Sequence, residues 1–194
     1  MQPFDAIVLA GGNSRRLGGR DKLLEVVGTR RLIDRVLDAV SAADRIVAVG
    51  EKRDGTGAAT WVREEPPGGG PVAALAAGLQ QVSGALVVLL AGDLPFVQQL
   101  HVDRLLEVIS AAEPTAAGAM YVDRDGRDQP LLSVWRTGRL RDVLPSDPAG
   151  HGLRRVLAPL DVIRLPGGDD LVDCDTPEDL AAARARAGSS EERP

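Results

Sequence analysis

Short, continuous apolar runs alternate along the chain with stretches whose apolar residues recur at helical spacing. The runs occupy residues 6–10, 46–49, 86–91 and 131–135. Strands that are apolar on both faces are typical of a mostly parallel sheet covered by helices. The helical series are Leu32, Ile33, Val36, Leu37 and Val40; Val72, Leu75 and Leu79; and Val102, Leu105, Leu106 and Ile109. Strands alternating with helices predict an α/β fold built from βαβ units.

The second half of the chain is expected to depart from the parallel pattern. Residues 116–122 and 162–165 are weaker strand candidates. The polar segment 123–128 separates two apolar runs, which predicts a hairpin or a strand–loop–strand unit.

The C-terminal region carries the signals of a helix start. Thr176 is a cap residue, Pro177 suits the first helical position, and acidic residues follow it. We therefore predict a helix over 177–187. Residues 188–194 hold no apolar side chain, so we expect a disordered tail after a single domain that spans 1–187.

Composition excludes several classes of protein. The chain has 194 residues and one cysteine, Cys174, which excludes a disulfide scaffold and a cysteine-rich metal cluster and indicates the cytoplasm. A net charge of -5 and 3% aromatic residues disfavour nucleic-acid binding. No apolar run approaches the ~20 residues that cross a bilayer, so no membrane partner is expected.

The first apolar run leads directly into the segment LAGGNSRRLGGRDK, residues 9–22. Glycines let backbone N–H groups approach an anion, and arginine and lysine neutralise phosphate charge. The segment follows a strand, at the edge where open α/β sheets bind ligands. It therefore predicts a phosphate-binding loop, although a flexible basic turn is the alternative. Its spacing matches neither the Walker A loop nor the dinucleotide fingerprint.

The pattern LAGG-x-S-x-R-L-G-x(2)-DK resembles the opening motif of the MobA-like nucleotidyltransferases, which include the molybdenum cofactor guanylyltransferases. Many members carry Met where this chain has Leu17. The resemblance covers nearly the whole chain. It implies a three-layer α/β/α Rossmann-like nucleotidyltransferase fold with a mostly parallel central sheet and a local antiparallel strand.

The resemblance also implies an activity and its small-molecule partners. The enzyme would move GMP from GTP to the terminal phosphate of molybdopterin, release pyrophosphate and depend on Mg²⁺. Transient contact with molybdenum-insertion or target enzymes would accompany this role. Three alternatives stay open: a related enzyme that uses CTP, one that uses another phosphorylated acceptor, and a non-catalytic nucleotide-binding module.

The same resemblance assigns the nucleotide site. Arg16 and Lys22 would bind the triphosphate and act in catalysis, and Asp93 would act with them as the magnesium ligand. Asp93 follows a buried strand, where an acid is costly unless it binds something. The residues that would pack along the nucleotide are Leu9, Ala10, Gly11 and Gly12.

Two further acidic residues are matched less closely. Glu65, in the segment EEPPGGGP, would contact the nucleoside, where the family often has Asp; a flexible loop opening a helix is the alternative. Asp175, in DCDTPEDL, stands where the family frequently has Asn and would complete the metal site with Asp93. The alternative for Asp175 is a residue that only flanks the capped helix start.

Four residues are weaker candidates for the acceptor side. Arg127 and Gln129 lie in a segment that resembles the family's R-x-Q/H-P, and the alternative is a hairpin turn. Arg154 and Arg155 resemble a basic pair near the pterin acceptor, and arginines suit its phosphate. Solvated surface is the alternative for this pair.

Overall fold

The computed structural model describes residues 2–11, 21–168, 171 and 173–191. Its strands are β1 (Asp5–Leu9), β2 (Val26–Val27), β3 (Arg30–Arg31), β4 (Arg45–Val49), β5 (Thr60–Val62), β6 (Leu86–Ala91), β7 (Gly118–Val122), β8 (Asp128–Arg136) and β9 (Val162–Pro166). Its helices are α1 (Leu32–Ala39), α2 (Pro71–Leu79), α3 (Gln99–Ala111), α4 (Thr137–Val143), α5 (Leu153–Leu157) and α6 (Pro177–Glu191).

Seven strands form one sheet in the order β5-β4-β1-β6-β8-β7-β9. β1 and β6 lie at its centre and are buried at every position, which explains why their sequences are apolar throughout. β8 runs antiparallel to both β6 and β7, while the other neighbouring pairs are parallel. The predicted α/β fold with a local antiparallel strand is confirmed. Within the polar segment 123–128, residues 123–127 form the turn of the β7–β8 hairpin and Asp128 begins β8.

Helices cover both faces of this sheet, so the architecture has three layers. Successive residues of each strand point to opposite faces. Val8 and Val88 pack with α1 and α3 on one face, whereas Ile7 and Leu89 pack with α2, α4 and α5 on the other. Each face therefore has its own apolar core. Within the described residues, no helix is long and apolar enough to span a bilayer.

The two-stranded β2–β3 hairpin packs against the C-terminal helix α6. The β2–β3 hairpin contributes Val27, which packs with Leu180, Ala183 and Ala187 of α6. α6 continues through Gly188 to Glu191, a stretch that we expected to lie in a disordered tail. Ser and Glu are compatible with a helix once it has started, so the absence of apolar residues does not end it.

The carboxyl ends of the parallel strands gather the loops that carry the predicted site. β1 and β6 both end at this edge, and β8 begins there because Leu90 pairs with Leu132 in antiparallel register. β9 ends beside Val122, where the Gly167 N–H donates to the Val122 carbonyl at 2.9 Å. The topology thus brings segments far apart in sequence to one edge.

Candidate functional site

The side chain of Lys22 is the meeting point of the site. Lys22 opens a 3-10 turn, Lys22–Leu24, which Asp21 begins by accepting the Leu23 N–H at 3.1 Å. Lys22 Nζ donates to Asp93 Oδ2 at 2.5 Å and to Asp175 Oδ1 at 3.0 Å. One ammonium group therefore bridges two carboxylates.

Backbone hydrogen bonds fix the two carboxylate segments against the sheet. The Gly92 N–H donates to the Leu9 carbonyl at 3.0 Å, which ties the residue before Asp93 to the end of β1. The Cys174 N–H donates to the Asp93 carbonyl at 3.2 Å, which holds Asp175 nearby. The ends of β1 and β6 and the segment before α6 thus form one wall.

The electrostatics of this cluster keep Lys22 charged. Its side chain is 19% exposed and that of Asp93 is 14% exposed, whereas that of Asp175 is 55% exposed. Burial lowers the pKa of Lys22, but the charges and hydrogen bonds of Asp93 and Asp175 outweigh it and raise the pKa above its ordinary value. Desolvation, together with the negative charges of Asp93 and Asp175, raises the pKa of Asp173.

The arrangement fits a divalent cation that binds with its substrate. Asp93 and Asp175 present oxygen atoms to one shared cationic group, so the position already attracts positive charge. Among the described residues, no three acidic, histidine or cysteine side chains are grouped to hold a metal by themselves. Mg²⁺ is commonly held by one or two carboxylates plus substrate phosphates, so this donor set suits it.

Three of the predicted nucleotide-contacting residues lie at the carboxyl end of β1. Leu9 and Ala10 are buried at the end of β1, and the Ala10 N–H donates to the Val49 carbonyl at 2.8 Å. Gly11 follows them and is exposed. Gly12 and Arg16 lie outside the described residues.

Glu65 lies on the loop between β5 and α2, at the same edge of the sheet. It is exposed and precedes Pro66 through a cis peptide bond. The neighbouring Glu64 shapes this loop, because its Oε1 accepts the Gly68 N–H at 3.0 Å. Glu65 is therefore presented to solvent and is not one of the contacts of Lys22.

The predicted acceptor residues lie on the hairpin between β7 and β8 and on α5. Arg127 is exposed and pairs with Asp125 at 3.2 Å, and Gln129 donates to Asp123 Oδ2 at 3.3 Å. Arg154 donates to the Asp128 carbonyl at 3.1 Å. This bond joins α5 to the hairpin, and Arg155 beside it is exposed.

Comparison with known proteins decides the family. Residues 6–164 match the MobA-like NTP transferase domain. The chain belongs to this family. It is 30% identical over 196 residues to a molybdenum cofactor guanylyltransferase of Mesorhizobium japonicum, with 91% of this chain and 92% of the relative covered.

Solved structures place this member of the MobA-like family in the nucleotidyltransferase fold. It resembles molybdopterin-guanine dinucleotide biosynthesis protein A from Archaeoglobus fulgidus with a TM-score of 0.72 and 21% identity over 95% of this chain and 99% of the other. It resembles 2-C-methyl-D-erythritol 4-phosphate cytidylyltransferase from Thermus thermophilus with a TM-score of 0.71 and 21% identity over 97% and 100%. These likenesses show the fold, and the family match together with the guanylyltransferase relative shows that the chain is a nucleotidyltransferase. The fold alone does not choose its nucleotide.

Sequence reasoning missed one residue of this MobA-like site, Arg53. Its guanidinium donates to both carboxylate oxygens of Asp21, the residue before Lys22, at 2.7 and 3.1 Å. In the sequence, Arg53 is one charged residue in a polar stretch after β4, and nothing there points to Asp21. Its contact depends on the neighbouring placement of β4 and β1, which only the topology supplies.

Two conspicuous side chains near the MobA-like site have structural roles. Cys174 is buried, and burial raises the pKa of its thiol to about 11, so it stays protonated and unreactive. His101 Nδ1 accepts the Gln98 N–H at 3.0 Å at the start of α3.

Proposed function

We propose that the chain transfers GMP from GTP to the terminal phosphate of molybdopterin and releases pyrophosphate. The observation that carries this proposal is the Lys22 ammonium held by Asp93 and Asp175 at the end of β1 and β6, beside the glycine-rich segment. The similarity to the molybdenum cofactor guanylyltransferase of Mesorhizobium japonicum supports a guanylyl donor and a molybdenum-cofactor acceptor.

The chemistry of this transfer is mainly a problem of charge. An oxygen of the acceptor phosphate attacks the α-phosphorus of GTP, and the bond from that phosphorus to the bridging oxygen of the β-phosphate breaks. Pyrophosphate leaves with the electron pair. Because both reactants are anions, catalysis consists of positioning and of stabilising the negative charge that develops.

Lys22 is placed to stabilise that charge. An ammonium group has three N–H donors, and Asp93 and Asp175 accept two of them among the described residues. The third is available for a phosphate oxygen without breaking either ion pair. The raised pKa keeps the group protonated at neutral pH, so it brings a full positive charge to the triphosphate.

The nucleotide would lie along the end of β1. Leu9 and Ala10 are buried and hydrogen-bonded into the sheet, so they fix the backbone position from which the exposed Gly11 follows. Arg16 is proposed, from its place in the motif, to bind the triphosphate with Lys22. Asp93 and Asp175 would hold Mg²⁺, which supplies further neutralisation of phosphate charge when bound.

A related reaction with CTP is the second candidate. The observation that favours it is the similarity to the Thermus thermophilus cytidylyltransferase structure, whose TM-score nearly equals that of the Archaeoglobus fulgidus protein. The two candidates share the Lys22–Asp93 chemistry and differ in the base and in the acceptor.

Pyrophosphate release by the purified protein tests the proposal. GTP, CTP, ATP and UTP are supplied separately with Mg²⁺, each with and without molybdopterin. We expect release with GTP that requires molybdopterin, and formation of the guanine dinucleotide by mass spectrometry. Release with CTP would move the chain to the second candidate, and GTP binding without any release would favour a non-catalytic module.

A further inference from the structure

Arg53 joins the two ends of the glycine-rich segment. Its Nη1 donates to the carbonyl of Ala10, near the start of the segment, at 3.0 Å. Its Nε and Nη2 form a two-pronged ion pair with Asp21, near the end of the segment, at 2.7 and 3.1 Å. A further bond from Nη1 to the Glu51 carbonyl, at 2.9 Å, fixes the guanidinium to its own loop.

The guanidinium of Arg53 is held rigidly before any substrate binds. It lies over the ring of Trp61, 5.6 Å from the ring centroid. Trp61 Nε1 donates to Thr56 Oγ1 at 2.9 Å, and this buried hydroxyl donates to the Arg53 carbonyl at 2.7 Å. Stacking and hydrogen bonding therefore fix both the plane and the backbone of Arg53.

The backbone beside Arg53 is shaped to bring the Ala10 carbonyl within its reach. Gly50 has φ +147, and a Cβ there would lie 2.6 Å from the Ala10 oxygen. A side chain at this position would push the end of β1 away from the Arg53 loop. Glycine thus permits the close approach on which the Arg53–Ala10 bond depends.

We propose that Arg53 is a positioning residue: it fixes the distance between Ala10 and Asp21 and thereby keeps Lys22, the next residue, in contact with Asp93. The proposal deepens the proposed function and rests on it, because the aim of Lys22 matters only if Lys22 stabilises the transferred phosphate.

Direct phosphate binding by Arg53 is the competing role, and the geometry disfavours it. The Arg53 side chain is 11% exposed, and its donors are directed to oxygen atoms of Asp21, Ala10 and Glu51. A phosphate would have to displace these bonds. Positioning leaves them intact throughout the reaction.

Steady-state kinetics of Arg53→Ala and Arg53→Lys test the proposal. A displacement of about 1 Å in a catalytic group can lower the rate about 100-fold, so we expect Arg53→Ala to lose roughly 10- to 100-fold in kcat while KM for GTP changes less than about threefold. Arg53→Lys should recover only part of kcat, because an ammonium group cannot reproduce the two-pronged bond. A large rise in KM for GTP at unchanged kcat would overturn positioning in favour of phosphate binding.

Arg141→Ala is the matched control. Arg141 also clamps backbone carbonyls, those of Leu79 and Val82 at 3.0 and 2.7 Å, but these lie at and just after the end of α2, at the opposite edge of the sheet. We expect it to lower thermal stability and leave kcat unchanged. An equal loss of kcat in both variants would mean that Arg53 acts only through overall stability.

Chemical rescue and a double variant sharpen the assignment. Millimolar guanidinium should restore part of the kcat of Arg53→Ala by occupying the vacated position against Asp21. Because Arg53 and Asp21 act as one unit, Arg53→Ala with Asp21→Ala should be little worse than either single variant. Additive losses without rescue would overturn the proposal.

Hydrogen exchange separates this proposal from the proposed function. The Leu23 amide donates to Asp21, so it reports the position of Asp21 without any substrate. If the wild-type protein releases no pyrophosphate, the proposed function is wrong. Faster exchange of the Leu23 amide in Arg53→Ala, reversed by added guanidinium, would still support the positioning role of Arg53. An unchanged exchange rate of the Leu23 amide in Arg53→Ala would overturn the positioning role, whether or not the protein releases pyrophosphate.

Discussion

Charged groups at the carboxyl edge of the sheet are organised in two different ways. Around Lys22, carboxylates from distant segments converge on one poorly exposed ammonium. Around the β7–β8 hairpin, the arginines are exposed and are satisfied by neighbouring acids and carbonyls. The first region is arranged before a ligand arrives, whereas the second must exchange partners to bind an anion.

Asp128 shows why the region around the β7–β8 hairpin is less prepared to bind an anion. Hydrogen bonds from Arg164, at 2.7 and 2.9 Å, hold the pKa of Asp128 below its ordinary value. At neutral pH it therefore remains a carboxylate that competes with an incoming phosphate for arginine. We infer that the fold arranges the charged groups around Lys22 in advance, whereas the predicted acceptor residues would bind more weakly and more adaptably.

The largest effect should follow from removing the Lys22–Asp93 contact. We expect Lys22→Ala and Asp93→Ala each to lower kcat by about 100-fold or more, as loss of a charge-stabilising group commonly does. Pyrophosphate release at saturating substrate measures this, and circular dichroism checks that each variant is folded. Asp44→Ala, an exposed acid at the opposite edge, is the control. Normal turnover by folded Asp93→Ala would refute the metal assignment.

A smaller loss is expected at Asp175, which is the exposed member of the same cluster. Asp175→Asn keeps an oxygen that can accept from Lys22, so its kcat should stay within about threefold of wild type, whereas Asp175→Ala should lose about tenfold, or ~1.4 kcal/mol. The Mg²⁺ dependence of pyrophosphate release provides the second readout. If Asp175→Ala behaves as wild type at all Mg²⁺ concentrations, Asp175 only flanks the start of α6.

Local sequence patterns were sufficient for the main elements of the fold. The apolar runs identified β1, β4, β6 and β8, and helical spacing identified α1, α2 and α3. The β2–β3 hairpin and β5 were missed because they are only two or three residues long and carry little apolar pattern. Short strands depend on their neighbours rather than on their own sequence.

The residues that meet around Lys22 were named from the sequence, but their geometry was not. Motif resemblance selected Lys22, Asp93 and Asp175, yet Lys22 and Asp175 are 153 positions apart and meet only through the order of the strands. Arg53 was missed because its partners, Ala10 and Asp21, belong to another segment. Gly12 and Arg16 lie outside the described residues, so their roles stay predictions.

The smallest effect is expected on the hairpin side. Arg154→Ala and Arg155→Ala should each raise KM for molybdopterin about three- to tenfold and leave kcat nearly unchanged, because an exposed ion pair contributes only about 0–1 kcal/mol and a phosphate contact somewhat more. Arg139→Ala, on α4 at the opposite edge, is the matched control. Saturation curves in molybdopterin at fixed GTP measure the effect. A 100-fold loss of kcat in Arg155→Ala would contradict the contrast between the Lys22 region and the hairpin region, since it would place a charge-stabilising group on the exposed side. An unchanged KM in both variants would mean that Arg154 and Arg155 are solvated surface, and the acceptor site would then be sought near Arg127 and Gln129.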